Sequence, residues 1–207
     1  MVLPSSLPPY VPAAFIAIED RRFYEHGPFD CWGIFPSVAS DLVHRRVVQG
    51  GSITQQVAKT LFLGNQRTLR RKVQEAFLAI WLCRHYRRDQ ILGIYFNRVY
   101  LGGGAYGVDA EARLYFNEPA ARRTLAQAAI LAGLPKAPST LNPLANARAA
   151  ANRATRVLEA MVAIGIISPQ QENAAIAHRL AGQIDGRDEP GQQCLGCAAR
   201  PTWLLPA

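Results

Sequence analysis

The chain has 207 residues and a mass of 22.7 kDa, 49% of them apolar and 18% charged, with 23 Lys or Arg against 15 Asp or Glu. That length and apolar share suit one domain with a buried core and exclude a disordered or low-complexity chain. Four cysteines, Cys31, Cys83, Cys194 and Cys197, are too few and too scattered for a disulfide-built fold, although the last two form a lone C-x-x-C.

The N-terminal twenty residues carry Pro4, Pro8, Pro9 and Pro12 and no basic residue before the acidic pair Glu19-Asp20, unlike a cleaved secretory signal. The longest apolar runs, Ala76 to Cys83 and Ala128 to Leu134, fall short of the roughly 18 to 20 residues that cross a bilayer. The apolar stretch Ala13 to Ile18 holds Glu19-Asp20 at a fixed place, where a carboxylate could act as a general base or simply pair with Arg21 or Arg22. Next, Gly50-Gly51-Ser52-Ile53-Thr54-Gln55-Gln56 reads two ways: glycines and polar side chains gripping sugar hydroxyls or phosphate oxygens, or a helix start capped by Ser52 or Thr54.

Leu69, Val73, Phe77, Ile80 and Trp81 recur at three to four residues and predict an amphipathic helix over about Thr68 to Tyr86, with Arg70, Arg71 and Glu75 on its opposite side. A second helix starts near Asp89. The glycine run Gly102 to Gly107 has no Gly-Lys-Ser/Thr after it and no strand before it, so it reads as a loop between helices. Thr124 with Gln127, and Ser168 with Gln171 and Pro169, are capping boxes opening two further helices. Between them lie the Pro-rich loop Pro135 to Pro143 and an Ala-rich helix from about Asn146 to Ala163, stopped at Gly165. Periodicity fades after Gly182. The reading is a mainly α single domain over 1–182 with a tail over 183–207.

Charge is concentrated. Residues 42–108 hold eleven Lys or Arg against two acids, Glu75 and Asp89, a local excess of +9 that accounts for the whole net charge of the chain. An anionic partner or a solvated basic face both fit. The four histidines, His26, His44, His85 and His178, lack metal-ligand spacing.

Taken in order, these segments resemble the peptidoglycan glycosyltransferase (transglycosylase) family, found as monofunctional biosynthetic enzymes and within class A penicillin-binding proteins. Glu19-Asp20, Phe23 and His26 match E-D-x-x-F-x-x-H; Gly50 to Gln56 match G-G-S-T-I-T-Q-Q; Arg71-Lys72 and Glu75 match R-K-x-x-E. Ile91-Leu92, Tyr95 and Asn97 match I-L-E-x-Y-L-N, and Val157-Leu158 with Met161 fall where R-R-x-x-V-L-x-x-M would lie. The resemblance covers about residues 8–168.

It implies a lysozyme-like fold with a small membrane-facing lobe, polymerising lipid II with inversion and release of undecaprenyl pyrophosphate. Glu19 would be the base that takes the proton of the acceptor GlcNAc 4-hydroxyl, and Glu75 the second catalytic carboxylate. Asp20, His26, Ser52, Thr54, Gln55, Gln56, Arg71, Lys72 and Asn97 would bind substrate, with Lys59 and Arg67 on the pyrophosphate. A divalent ion such as Mg2+ would assist, with Glu19 as one candidate contact. Partners would be lipid II, the lipid-linked glycan strand, the cytoplasmic membrane surface and other cell-wall synthesis proteins, with no nucleic acid. The place would be the outer, periplasmic face of that membrane, the family's anchor helix being absent from this chain and Phe29, Trp32, Ile34 and Phe35 serving as bilayer contacts. Two alternatives stand beside it: a lytic glycosidase on the same architecture, and a degenerate homologue that binds lipid II without turnover.

A base needs a pKa near neutrality, so Glu19 is expected to lie apart from Lys59 and Arg67, with burial or Asp20 offsetting them. Several positions depart from the motifs. The glycine motif lacks one Thr after Ser52, Gly93 stands for the glutamate of I-L-E, Ala154 for the second arginine of the last motif, and Pro28 for a glycine.

Overall fold

The computed structural model describes residues 1–25, 51–63 and 68–181. His26, Arg67, the proposed bilayer contacts Phe29, Trp32, Ile34 and Phe35, and the tail 183–207 lie outside the described residues. Among the described residues, eight α-helices follow one another: α1 (Tyr10–Glu19), α2 (Ile53–Phe62), α3 (Leu69–His85), α4 (Arg88–Arg98), α5 (Val108–Phe116), α6 (Leu125–Gly133), α7 (Ala147–Ala163) and α8 (Pro169–Ala181). Among the described residues, β pairing is limited to one isolated antiparallel bridge, Tyr100 with Tyr106. The mainly α expectation holds.

Local chemistry sets the helix ends. Ser52 and Thr68 accept from the backbone N–H three residues on at the starts of α2 and α3, and Asn146 does the same for α7. The Thr124–Gln127 and Ser168–Gln171 capping boxes both form, each side chain serving the other's backbone N–H. Asn117 closes α5 in the left-handed region, φ 56°. Gly165, φ 72°, closes α7 while Ile166 N donates to Met161 O, the six-to-one pattern of a Schellman stop.

The helices pack in two groups. The first comprises α1, α6, α7 and α8, with α6 lying along both α1 and α7; the second is α2 set against α3 and α4. Phe15 on α1 joins the groups, meeting Tyr95 edge-on at 6.0 Å and Phe96 at 5.2 Å on α4. Ala126, Ala128, Ala129 and Ala132 of α6 are all buried with Ala150, Ala154 and Ala160 of α7, and small side chains let these two helices approach closely.

The orientation of α3 reverses what its sequence pattern suggests. Val73, Phe77 and Trp81 are exposed, Phe77 at 63%, whereas Lys72, Glu75, Ala76, Ala79 and Leu82 are buried. A helix in a soluble domain ordinarily turns its apolar stripe inward. Here the inward face combines alanines, which allow close approach to α2, with a self-neutralising group of charges.

Asn97 faces the N-terminal segment. Its Oδ1 accepts from Val2 N at 2.8 Å, and its Nδ2 donates to Val2 O at 2.8 Å and to Gly93 O at 2.7 Å. Both ends of the amide thus fasten the N-terminal segment onto α4. Gly93 lies beside the same segment: a Cβ there would sit 3.5 Å from Pro4 Cδ, an ordinary van der Waals contact with the short 3-10 turn Pro4–Ser6. Replacing Asn97 by Ala leaves the Val2 backbone groups without their partner and should lower stability by about 1–3 kcal/mol. Thermal denaturation checks this, and an unchanged midpoint would contradict it.

Candidate active site

Glu19 ends α1, where the negative pole of the helix dipole disfavours another negative charge. Its carboxylate is largely buried. Burial raises its pKa above the ordinary carboxylate range, opposed by a hydrogen bond from Gln56 and by the charges of Arg153 and Lys136, and reinforced by Asp20. Gln56 Nε2 donates to Glu19 Oε2 at 2.6 Å and to Gly51 O at 3.2 Å. Asp20 caps the end of α1 and reaches across to α2, its Oδ2 accepting from Ile53 N at 3.3 Å. The first two motifs therefore meet as one unit, the end of α1 against the start of α2. Arg21, a candidate ion-pair partner of Glu19, instead donates from Nε to Ala17 O.

The hydroxyl of Tyr95, on α4, is buried and has no hydrogen-bond partner among the described residues. Burial, and then the charge of Glu19, push its pKa well up, so it stays protonated. Arg153 reaches Glu19 from α7. Its stem lies against Gly133 at the end of α6, where a Cβ would sit 2.8 Å from Arg153 Cγ, and its Nε donates to Gly133 O at 3.4 Å. Lys136 follows in the 3-10 turn Leu134–Lys136. Sequence reading missed both cations, having taken their segments as a Pro-rich loop and a core helix. The signal was present, since Arg153 is the first arginine of the last motif.

On α3, Lys72 Nζ lies 3.0 Å from Glu75 Oε1 and Arg71 Nη1 3.4 Å from Glu75 Oε2. Glu75 thus sits between two cations and holds them in place, while Arg71 Nε and Nη1 make no hydrogen bond among the described residues. Lys59 is exposed in the last turn of α2. It stands three residues beyond Gln56, so it shares the helix face that Gln56 presents to Glu19.

The remaining polar residues of the glycine motif make contacts within the fold. Ser52 is the α2 cap, accepting from Gln55 N at 3.3 Å. Thr54 and Gln55 are buried, and Thr54 Oγ1 receives Arg88 Nη1 at 3.5 Å. Of the two cap candidates, Ser52 is the cap, and Thr54 lies inside the first turn of α2.

A divalent ion finds no cage among the described residues, where no three His, Cys, Asp or Glu side chains come together. Glu19 stands by itself in this respect, with Asp20 as its acidic neighbour and the charges of Arg153 and Lys136 acting on it. The glycine loop Gly102 to Gly107, by contrast, is a folded connector as expected. Glu111 of α5 lies beneath it, both carboxylate oxygens 3.1 Å from Gly103 N, and a Cβ on Gly103 would sit 2.3 Å from Glu111 Oε2. That acid is the buried anion of the loop and no phosphate is required to explain the glycines.

Residues 1–162 match the model of the transglycosylase family. The chain belongs to that family. It is 47% identical over 166 residues to penicillin-binding protein 1A of Escherichia coli (strain K12), covering 80% of this chain and 20% of the relative. The corresponding protein of Aquifex aeolicus (strain VF5) is 44% identical over 171 residues, covering 82% and 24%. A crystal structure of penicillin-binding protein 1A from Haemophilus influenzae matches 59% of this chain and 15% of its own length at 32% identity, with a TM-score of 0.41. The chain spans about a fifth to a quarter of the length of these curated relatives.

The raised pKa of Glu19 has a consequence for stability. Because the folded state binds the Glu19 proton more tightly than the unfolded chain, this group makes stability fall as pH rises from the ordinary carboxylate range through its raised value. Glu19→Gln should therefore melt higher than the wild type above that window and no higher below it, in thermal scans across pH. Breaking the buried pairs of Glu75 acts oppositely: Glu75→Gln strands Arg71 and Lys72 and should cost about 3–5 kcal/mol, read by denaturant unfolding.

Proposed function

We propose that this chain is a peptidoglycan glycosyltransferase that joins lipid-linked sugars, with Glu19 as base. The supporting observation is the environment of Glu19: a buried carboxylate of raised pKa, held by Gln56 and bordered by cations from α7 and the turn after α6. A base working near neutral pH needs such a shift. Glu19 takes the proton of the acceptor 4-hydroxyl as that oxygen bonds to the donor anomeric carbon. The bond from that carbon to the diphosphate oxygen breaks, its electron pair leaves with the diphosphate, and configuration inverts.

The charge that develops on the leaving group calls for fixed cations. Lys59 is exposed on the α2 face next to Glu19, and Arg71 and Lys72 are positioned by Glu75, whose part in the reaction is to hold them. Arg67 and His26 keep the roles that the motif resemblance assigns them. A divalent ion accompanying the reaction would be carried by diphosphate oxygens, since the described side chains offer it no cage.

A raised glutamate also suits the general acid of a lytic glycosidase. The cations weigh against that reading, because a neutral glycosidic bond gives them no anion to meet. Purified lipid II separates the two: the polymerase reading expects glycan strands from wild-type protein, loss of at least about a thousandfold in rate for Glu19→Gln, and no soluble fragments from purified wall. Lipid II binding without product would favour the degenerate homologue, and fragment release the glycosidase.

The exposed side of α3 supports a membrane-surface setting. Phe62 and Trp81 meet edge to face at 6.4 Å, Trp81 stacks on His85 at 4.5 Å and contacts Tyr86 at 6.1 Å, and Phe77 and Val73 continue the row. Arg70, Arg84 and Arg87 are exposed on the same stretch, so aromatic and apolar groups lie among cations, as at an anionic lipid interface. No helix of the described residues is long and apolar enough to cross a membrane. Trp81→Asp with Phe77→Asp should reduce flotation with anionic liposomes by more than about tenfold at unchanged melting temperature; retained flotation would remove this face from the lipid contact.

A further inference from the structure

Among the described residues, the carboxylate of Glu19 receives one hydrogen bond, from Gln56 Nε2 to Oε2 at 2.6 Å. The same nitrogen donates to Gly51 O at 3.2 Å. Two oxygen acceptors facing one end of the amide settle its orientation, because an NH2 group serves both whereas a carbonyl oxygen would repel both. Each hydrogen of that NH2 then has an acceptor. Nothing on Nε2 is left for a sugar hydroxyl, the task expected of Gln56 from the motif.

We propose that Gln56 is a positioning residue for the base: by fixing Oε2 it leaves Oε1 as the oxygen that takes the proton, and through Gly51 it ties the aim of Glu19 to the glycine segment. This rests on the reading of Glu19 as base. A 2.6 Å hydrogen bond to a carboxylate is charge-assisted and favours the ionised form, so Gln56 counteracts the burial that raises the pKa of Glu19. The other groups acting on Glu19 are Asp20 at the end of α1, Arg153 from α7 and Lys136 from the turn after α6, and Tyr95 of α4 lies in the field of Glu19. None of these is a hydrogen-bond donor to the carboxylate in the structure. Gln56 alone, among the described residues, couples the carboxylate to a neighbouring element by direct contact.

The proposal separates from both a substrate-binding and a merely structural role. Gln56→Leu and Gln56→Met keep the bulk of the side chain and remove both hydrogen bonds; the second serves if the first fails to fold by circular dichroism. In lipid II polymerisation, kcat should fall about tenfold, KM should stay within about twofold, and the acid limb of the rate profile should move to higher pH as the carboxylate loses its donor. A raised KM with an unmoved limb would make Gln56 a substrate ligand and overturn the proposal, as would an unchanged profile in a folded variant. A second readout needs no turnover: the 13C-labelled carboxyl carbon of Glu19, assigned with Glu19→Gln, is titrated by NMR in wild type and variant. The variant midpoint should lie higher; coincident midpoints overturn the proposal. If the midpoints differ while wild-type protein makes no glycan, the polymerase reading fails and the positioning of Glu19 by Gln56 stands.

Discussion

A single carboxylate removed from water at the C-terminal end of a helix constrains much of this molecule. Charge on Glu19 is opposed by burial, by the dipole of α1 and by Asp20, and each opposing term is met by something local: the Gln56 amide, Arg153 and Lys136. Those compensating groups come from three separate stretches of chain, α2, the turn after α6, and α7. To bring them together, α1 must lie against α6 and α7 while its end meets the start of α2, and the packing of the two helix groups meets this requirement. The raised pKa follows first from burial by the fold as a whole, with the adjacent Asp20 adding to it.

The second acid is handled in the opposite way. Glu75 is buried too, but between Arg71 and Lys72, so its charge is matched at contact distance and organises cations within one helix. Two carboxylates in one chain thus sit in two environments: one with its pKa raised by burial, one held between two cations. Turning that charged triad inward forces the apolar stripe of α3 outward, where Phe77 and Trp81 stand beside exposed arginines. Where a solvated polar face is usual, this helix offers the surroundings an aromatic and cationic one.

Departures from the family motifs have physical counterparts. Gly93 lies against the N-terminal turn whose Val2 the Asn97 amide holds, so the two motif positions face the same segment. Gly103 exists because Glu111 occupies the space a side chain would need, which accounts for part of a glycine run that might otherwise be read as a phosphate loop. In both cases a motif letter meets a contact from a distant or following element.

What the sequence by itself determined was local: the caps at Ser52, Thr124 and Ser168, the stop at Gly165, the helical class, and the order of motifs that carries the family. These depend on interactions within a few residues, and so they can be read from spacing. The glutamate at position 19 was legible as a candidate, but its protonation behaviour was not. Tertiary structure decided which face of α3 is buried, which cations act on Glu19, that the Asn97 amide meets Val2, that Thr54 and Gln55 are buried, and that Gln56 donates to Glu19. Each of those outcomes turns on what lies opposite a side chain across a helix interface, and a pattern of residue types along one helix does not contain that information.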